Sequence, residues 1–142
     1  YKGIPLVAVS ALALARAGRN VPFAFNRKEV KDHGEGGHII GAKLAGRVLV
    51  IDDVISAGTS VRESVEIIRA AGAEPCGVVI ALDRMERGTG ALSAVQEVEQ
   101  DFGIPVVAVA TLNDLMAFLS HHPEFKTHED AILQYRRQYG VN

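Results

Sequence analysis

The feature that most constrains this chain is the run Val48-Leu49-Val50-Ile51-Asp52-Asp53-Val54-Ile55-Ser56-Ala57-Gly58-Thr59-Ser60. Val48 to Ile51 is short, apolar and mostly β-branched, the composition of a strand buried on both faces of a parallel sheet. Asp52 and Asp53 follow at once, so two carboxylates stand at the carboxyl end of that strand. Ser56 to Ser60 is a turn of small residues leading into a helical pattern. Val61, Val65 and Ile68 share one face, and Gly72 supplies the stop. Ser60 and Glu63 have capping-box spacing, which predicts a helix start near Thr59 or Ser60.

This arrangement has a chemical reading. The turn offers backbone N–H groups, hydroxyls and a helix N-terminus, which together favour a bound phosphate. Gly58, lacking a Cβ, permits close backbone approach. Two acids beside an anion site make sense when the ligand is a phosphorylated sugar. They accept hydrogen bonds from ribose hydroxyls or hold Mg²⁺ through water. Neither a Walker loop nor a dinucleotide-binding glycine fingerprint is present.

Strand-like runs alternate with helical patterns along the rest of the chain, which predicts a doubly wound α/β fold with a mainly parallel sheet in one domain spanning residues 1–142. Ile4 to Ala15 reads as a buried helix after a Lys-Gly turn; its twelve residues are too few to span a bilayer. Pro22 to Asn26 reads as a strand and Gly41 to Arg47 as a connection with Lys43 and Arg47 in solvent. Gly77 to Leu82 is a second apolar strand, with Asp83 and Arg84 at its carboxyl end, where ligands of open α/β sheets collect. Gly88-Thr89-Gly90 reads as a flexible turn. Ala94 to Phe102 reads as a helix with Ser93 and Gln96 at capping spacing. Val106 to Ala110 is a third buried strand, and Thr111 to Asp114 opens a further helix that His121-His122-Pro123 ends in a solvated loop. Glu129 to Tyr139 is a terminal amphipathic helix.

Between the first strand and the connection lies Arg27-Lys28-Glu29-Val30-Lys31-Asp32-His33-Gly34-Glu35-Gly36-Gly37, with a single apolar residue, Val30. Such a segment cannot bury itself and belongs on the surface. Its cations, its histidine and its glycines suit a lid closing over an anionic substrate. The net charge of −2 argues against a general nucleic-acid binder, which shows a basic excess. The one cysteine, Cys76, excludes an internal disulfide, fits a reducing, cytoplasmic setting, and reads as a small buried residue rather than a nucleophile.

Residues 48–60 resemble the thirteen-residue phosphoribosyl pyrophosphate (PRPP) motif of the type I phosphoribosyltransferases. Phe25 to Gly37 resembles the catalytic loop of the orotate phosphoribosyltransferase family, a loop a purine enzyme is not expected to share. The resemblance begins at Tyr1-Lys2-Gly3-Ile4-Pro5 and continues through Leu82-Asp83-Arg84-Met85-Glu86-Arg87-Gly88 and Ala94-Val95-Gln96-Glu97-Val98-Glu99. Family members carry an amino-terminal segment before Tyr-Lys-Gly that forms a hood and supplies part of the orotate site. Nothing in these residues corresponds to it, so orotate contacts are expected to be missing from the chain.

The resemblance implies the type I phosphoribosyltransferase fold and Mg²⁺-dependent transfer of phosphoribosyl from PRPP to orotate. The products are orotidine 5′-monophosphate and pyrophosphate, a step of pyrimidine (UMP) biosynthesis. By the same resemblance Ser56, Ala57, Gly58, Thr59 and Ser60 cradle the 5-phosphate, and Asp52 and Asp53 hold the ribose hydroxyls. Lys2 reaches the pyrophosphate or ribose. Arg27, Lys28, Lys31 and His33 close over pyrophosphate, with Lys31 the main catalytic cation. Arg84 meets the orotate carboxylate, and Ser56 also binds orotate; the other reading of Arg84 is an ion pair with Asp83 or Glu86. No protein side chain is expected to ligate the metal directly, since Mg²⁺ binds mainly through PRPP and water. A homodimer is implied, the Arg27–Gly37 loop serving the neighbouring site, with no nucleic-acid or membrane partner. The alternatives are a phosphoribosyltransferase for another base and a PRPP-sensing regulator of the same fold.

Overall fold

The structure is a computed structural model that describes residues 2–26 and 39–141. Its central element is a parallel three-stranded sheet in the order β3 (Arg47–Asp52), β4 (Glu74–Asp83), β5 (Val106–Thr111). A separate antiparallel pair, β1 (Ala24–Asn26) and β2 (Ile39–Gly41), sits Asn26 opposite Ile39. The helices are α1 (Gly3–Arg16), α2 (Thr59–Ala70), α3 (Ala94–Phe102), α4 (Leu112–Ser120) and α5 (Glu129–Tyr139), with a 3₁₀ turn at Pro123–His128. The α/β class and the parallel sheet flanked by helices are as the sequence predicts.

The core lies on one face of the sheet. Val78 and Ile80 of β4 meet Val61 and Val65 of α2 and Val98 of α3, with Val50, Val106 and Ala108 packed against them. Strand alternation turns Leu49, Val107 and Val109 to the other face, and there they are 50, 58 and 79% exposed. The expectation that Val48–Ile51 is buried on both faces, and the reading of Val106–Ala110 as a buried strand, are therefore corrected: among the described residues Leu49, Val107 and Val109 are left largely open on the second face. The buried helix expected at Ile4–Ala15 forms as α1, but it buries only Ala11 and leaves Val9 and Leu12 exposed. Cys76 is half-buried within β4 rather than enclosed.

Several helix ends follow the sequence closely. Ser93 and Gln96 form a reciprocal capping box, as do Thr111 and Asp114 at α4. Gly72, at φ +76°, follows α2 as its stop. The capping box expected at Ser60 and Glu63 does not form. Gly58 is the N-cap instead, left-handed at φ +72°, and no side chain caps α2. The Gly88–Gly90 turn, read as flexible, is tied down: the Glu97 carboxylate accepts from the Thr89 and Gly90 N–H groups and from the Thr89 hydroxyl.

Candidate functional site

The strand tip, the small-residue turn and the start of α2 border one open cleft of about 950 Å³. Lys2, Asp52, Asp53 and residues 56–60 all line it, as do Phe25, Asn26 and Ile39 at the paired ends of β1 and β2. The acids and the turn thus share a site. Arg27, Lys28, Lys31 and His33 lie outside the described residues, whose ends at Asn26 and Ile39 lie side by side on this cleft.

Asp53 is fixed through its backbone: its carbonyl accepts from both Ala81 and Leu82 N–H groups of β4, at 3.0 and 3.1 Å. Its side chain accepts from the Val54 N–H at 2.9 Å and pairs with the Lys2 ammonium at 3.3 Å. Asp52 accepts from the Asp53 N–H at 2.9 Å. The two carboxyls are pushed apart in acidity. Burial raises Asp52, and the adjacent Asp53 charge adds to the rise against the opposing Asp53 N–H bond. Burial also acts upward on Asp53, but the Val54 N–H and the Lys2 ammonium outweigh it and hold that carboxyl below its ordinary value.

The turn is built to receive an anion. With Gly58 as a left-handed N-cap, no side chain occupies the first N–H groups of α2, and no acid stands in its first turn. Ser56, Ala57, Thr59 and Ser60 are exposed around Gly58, which is buried. A Cβ on Gly58 would come within 3.2 Å of Val98 Cγ2, so the turn packs on α3 at the closest approach a glycine permits. α3 and α4 have their N-termini closed by their own side chains, whereas α2 does not.

Arg84 joins this site from the end of β4. Its Nη2 donates to Ser56 Oγ at 2.7 Å and to Glu86 Oε2 at 3.0 Å. The pair with Glu86 is the ion-pair reading of Arg84, with Asp83 turned away to accept from the Met85 N–H, and the bond to Ser56 ties Arg84 to the turn. Arg84 Nε is buried without an acceptor among the described residues. Sequence reading gave Glu86 no place beyond an ion-pair partner and gave Tyr135 none. Glu86 lies two residues after Arg84, beyond the end of β4, and the left-handed Met85 between them (φ +54°) breaks the strand alternation that a local pattern would use. Tyr135, whose hydroxyl donates to the second Glu86 oxygen, is 49 residues away and leaves no local trace.

The donor set also bears on a divalent metal. Among the described residues no three His, Cys, Asp or Glu side chains group as a metal site. Two carboxylates at one strand tip fit a hard cation that arrives with a phosphorylated ligand and keeps waters of its own. Nor, among the described residues, is any helix long and apolar enough to cross a membrane.

No family model matches the chain. It is 70% identical over 142 residues to an orotate phosphoribosyltransferase of Chromobacterium violaceum, covering all of this chain and 66% of that protein. The crystal structure of orotate phosphoribosyltransferase from Francisella tularensis superposes with a TM-score of 0.80 at 37% identity, over 99% of this chain and 67% of that one. The Mycobacterium tuberculosis orotate phosphoribosyltransferase, solved in complex with 5-phospho-α-D-ribosyl 1-diphosphate, matches with a TM-score of 0.55 at 29% identity, over 69% of this chain and 52% of that one. The chain therefore spans just under two thirds of the length of the curated relatives it matches. On this identity and this likeness of fold, the chain belongs to the orotate phosphoribosyltransferase family.

Proposed function

We propose that the protein transfers the phosphoribosyl group of PRPP to N1 of orotate, giving orotidine 5′-monophosphate and pyrophosphate. The observation that carries the reading is the uncapped start of α2 standing beside Asp52 and Asp53 on one cleft. An anion needs the free N–H groups, and ribose hydroxyls need the acceptors. A phosphorylated ribose carries both the anion and the hydroxyls.

In this reading residues 56–60 hold the 5-phosphate through the turn amides and hydroxyls. Asp53, ionised and anchored, accepts from the ribose hydroxyls, and Asp52 lies beside the anomeric carbon as positive charge develops there. Lys2, now paired to Asp53, moves its ammonium to the diphosphate. Mg²⁺ bound with PRPP would offset charge on the departing diphosphate, and Asp52 and Asp53 are the side chains placed to meet its water shell. Arg27, Lys28, Lys31 and His33 close over the diphosphate, with Lys31 as the principal cation. Arg84 receives the carboxylate of the base, for which its buried Nε, without an acceptor among the described residues, is a donor. A homodimer in which residues 27–37 serve the neighbouring site belongs to the same reading, as does a cytoplasmic location, which suits the free thiol of Cys76.

The test is consumption of orotate against a panel of adenine, hypoxanthine and uracil by the full-length protein with PRPP and Mg²⁺. Orotate alone should be consumed, and Lys31→Ala should lower turnover by about 10²–10³ with the melting temperature unchanged, the cost of removing one preorganised charge contact. Preference for another base, or unchanged turnover in Lys31→Ala, would remove the base assignment or the lid respectively.

A further inference from the structure

The bonding of Arg84 is unusual in one respect. Its Nη2 gives one hydrogen to Ser56 Oγ and the other to Glu86 Oε2. Nη2 belongs to both edges on which a guanidinium accepts a carboxylate at two points, the Nε–Nη2 edge and the Nη1–Nη2 edge. An incoming carboxylate must therefore displace one of the two acceptors already there.

The two are not equal. Ser56 offers a neutral hydroxyl on an exposed turn. Glu86 offers a charged oxygen on a side chain only 16% exposed, and its other oxygen accepts from the Tyr135 hydroxyl of α5. The Glu86 backbone is stitched on both sides: its carbonyl accepts from the Ala94 N–H at 2.9 Å, and it bridges to Gly140. Arg87 N–H donates to the Tyr139 carbonyl and Val141 N–H to that of Met85, so the end of α5 and residues 85–87 form one unit. Charged acceptors hold an arginine more strongly than neutral ones. Ser56 yields, and Glu86 stays.

We propose that Glu86 and Tyr135 are positioning residues for recognition of the base, an inference that rests on Arg84 receiving the base's carboxylate. Tyr135 fixes the Glu86 carboxylate, Glu86 fixes the plane of the Arg84 guanidinium, and the substrate's carboxylate takes the hydrogen now given to Ser56. The second point of attachment in this proposal is Nε, which has no acceptor among the described residues. Ser56 Oγ, released from Arg84, is then free to turn to the base.

Charge and position make opposite predictions here, which gives the test its edge. If Glu86 only screened Arg84, then removing its charge would tighten the hold on an anionic base, and Glu86→Gln would lower KM for orotate. A positioning role predicts that Glu86→Gln raises KM for orotate by about tenfold or more, the effect of losing a charge-assisted hydrogen bond. KM for PRPP should stay within about twofold, because the phosphate turn is untouched. Tyr135→Phe, which removes one hydroxyl and no charge, should raise KM for orotate in the same direction and less, and it carries the test if Glu86→Gln folds poorly. Both variants are measured in the full-length protein. Failure of the wild type to use orotate would overturn the base reading and this proposal with it. Wild-type activity with KM for orotate unchanged or lowered in both variants would overturn the proposal alone.

Discussion

Asp52 and Asp53 are chemically identical and adjacent, yet the fold separates their acidities, and that separation has a consequence for stability. Burial raises the Asp52 carboxyl above 3.8, so the folded state holds its proton more tightly than the unfolded chain does. Ionising Asp52 therefore costs stability as pH rises from 3.8 through the raised folded value, and the cost is complete at neutral pH. Asp53 is the reverse: its lowered carboxyl stabilises the fold above 3.8, and that contribution fades only as pH falls through its folded value below 3.8. Asp52→Asn, which keeps an acceptor for the Asp53 N–H, is thus expected to melt at a higher temperature than wild type at pH 7. The advantage should vanish as pH is lowered to 3.8. Asp53→Asn should melt lower at pH 7. Thermal unfolding across pH 3–7 checks both signs. Turnover of Asp52→Asn should fall despite its stability, the mark of a carboxylate kept for chemistry. A parallel loss of stability in both variants would refute the assigned environments.

Helix starts show what a local pattern can and cannot reveal. Ser60–Glu63, Ser93–Gln96 and Thr111–Asp114 look alike in sequence, and the last two close as capping boxes. The first does not, because left-handed Gly58 begins α2 two residues ahead of Ser60 and places that serine inside the first turn. The strand, acids and turn of residues 48–60 were legible because each is a contiguous signal. The choice of cap was not, because it depends on how Gly58 packs against Val98 of another helix. The Glu86–Tyr135 contact was hidden for the same reason, being made across 49 residues. The difference predicts two unlike serine mutants. Ser93→Ala removes a real cap from a buried position and should cost about 1 kcal/mol. That corresponds to a fall in melting temperature of roughly 2–6 °C for a domain of this size. Ser60→Ala, exposed and capping nothing, should leave the melting temperature within a degree or so while raising KM for PRPP. Equal thermal effects would mean that Ser60 caps α2 after all.

Across the molecule, the two faces of the β3–β4–β5 sheet meet different surroundings. α2 and α3 cover the face of Val50, Val78, Ile80, Val106 and Ala108, whereas Leu49, Val107 and Val109 lie largely open on the other. The sequence reading of strands buried on both faces came from continuous apolar runs, which are the composition of a doubly covered sheet. Among the described residues, Leu49, Val107 and Val109 lack a full second cover. β5 is moreover an edge strand of this sheet among the described residues. An apolar face next to an open strand edge promotes self-association. The 142-residue chain should therefore bind an apolar reporter dye in its native state and elute in a concentration-dependent manner on size exclusion. Val107→Thr together with Val109→Thr keeps β-propensity and shape while removing apolar surface at two positions that pack little. The double variant should lose most of the dye signal and the concentration dependence, with stability changed by no more than about 0.5 kcal/mol per site. If dye binding persists undiminished, the open face of the sheet is not its source, and α1, with Val9 and Leu12 exposed, is the next surface to substitute.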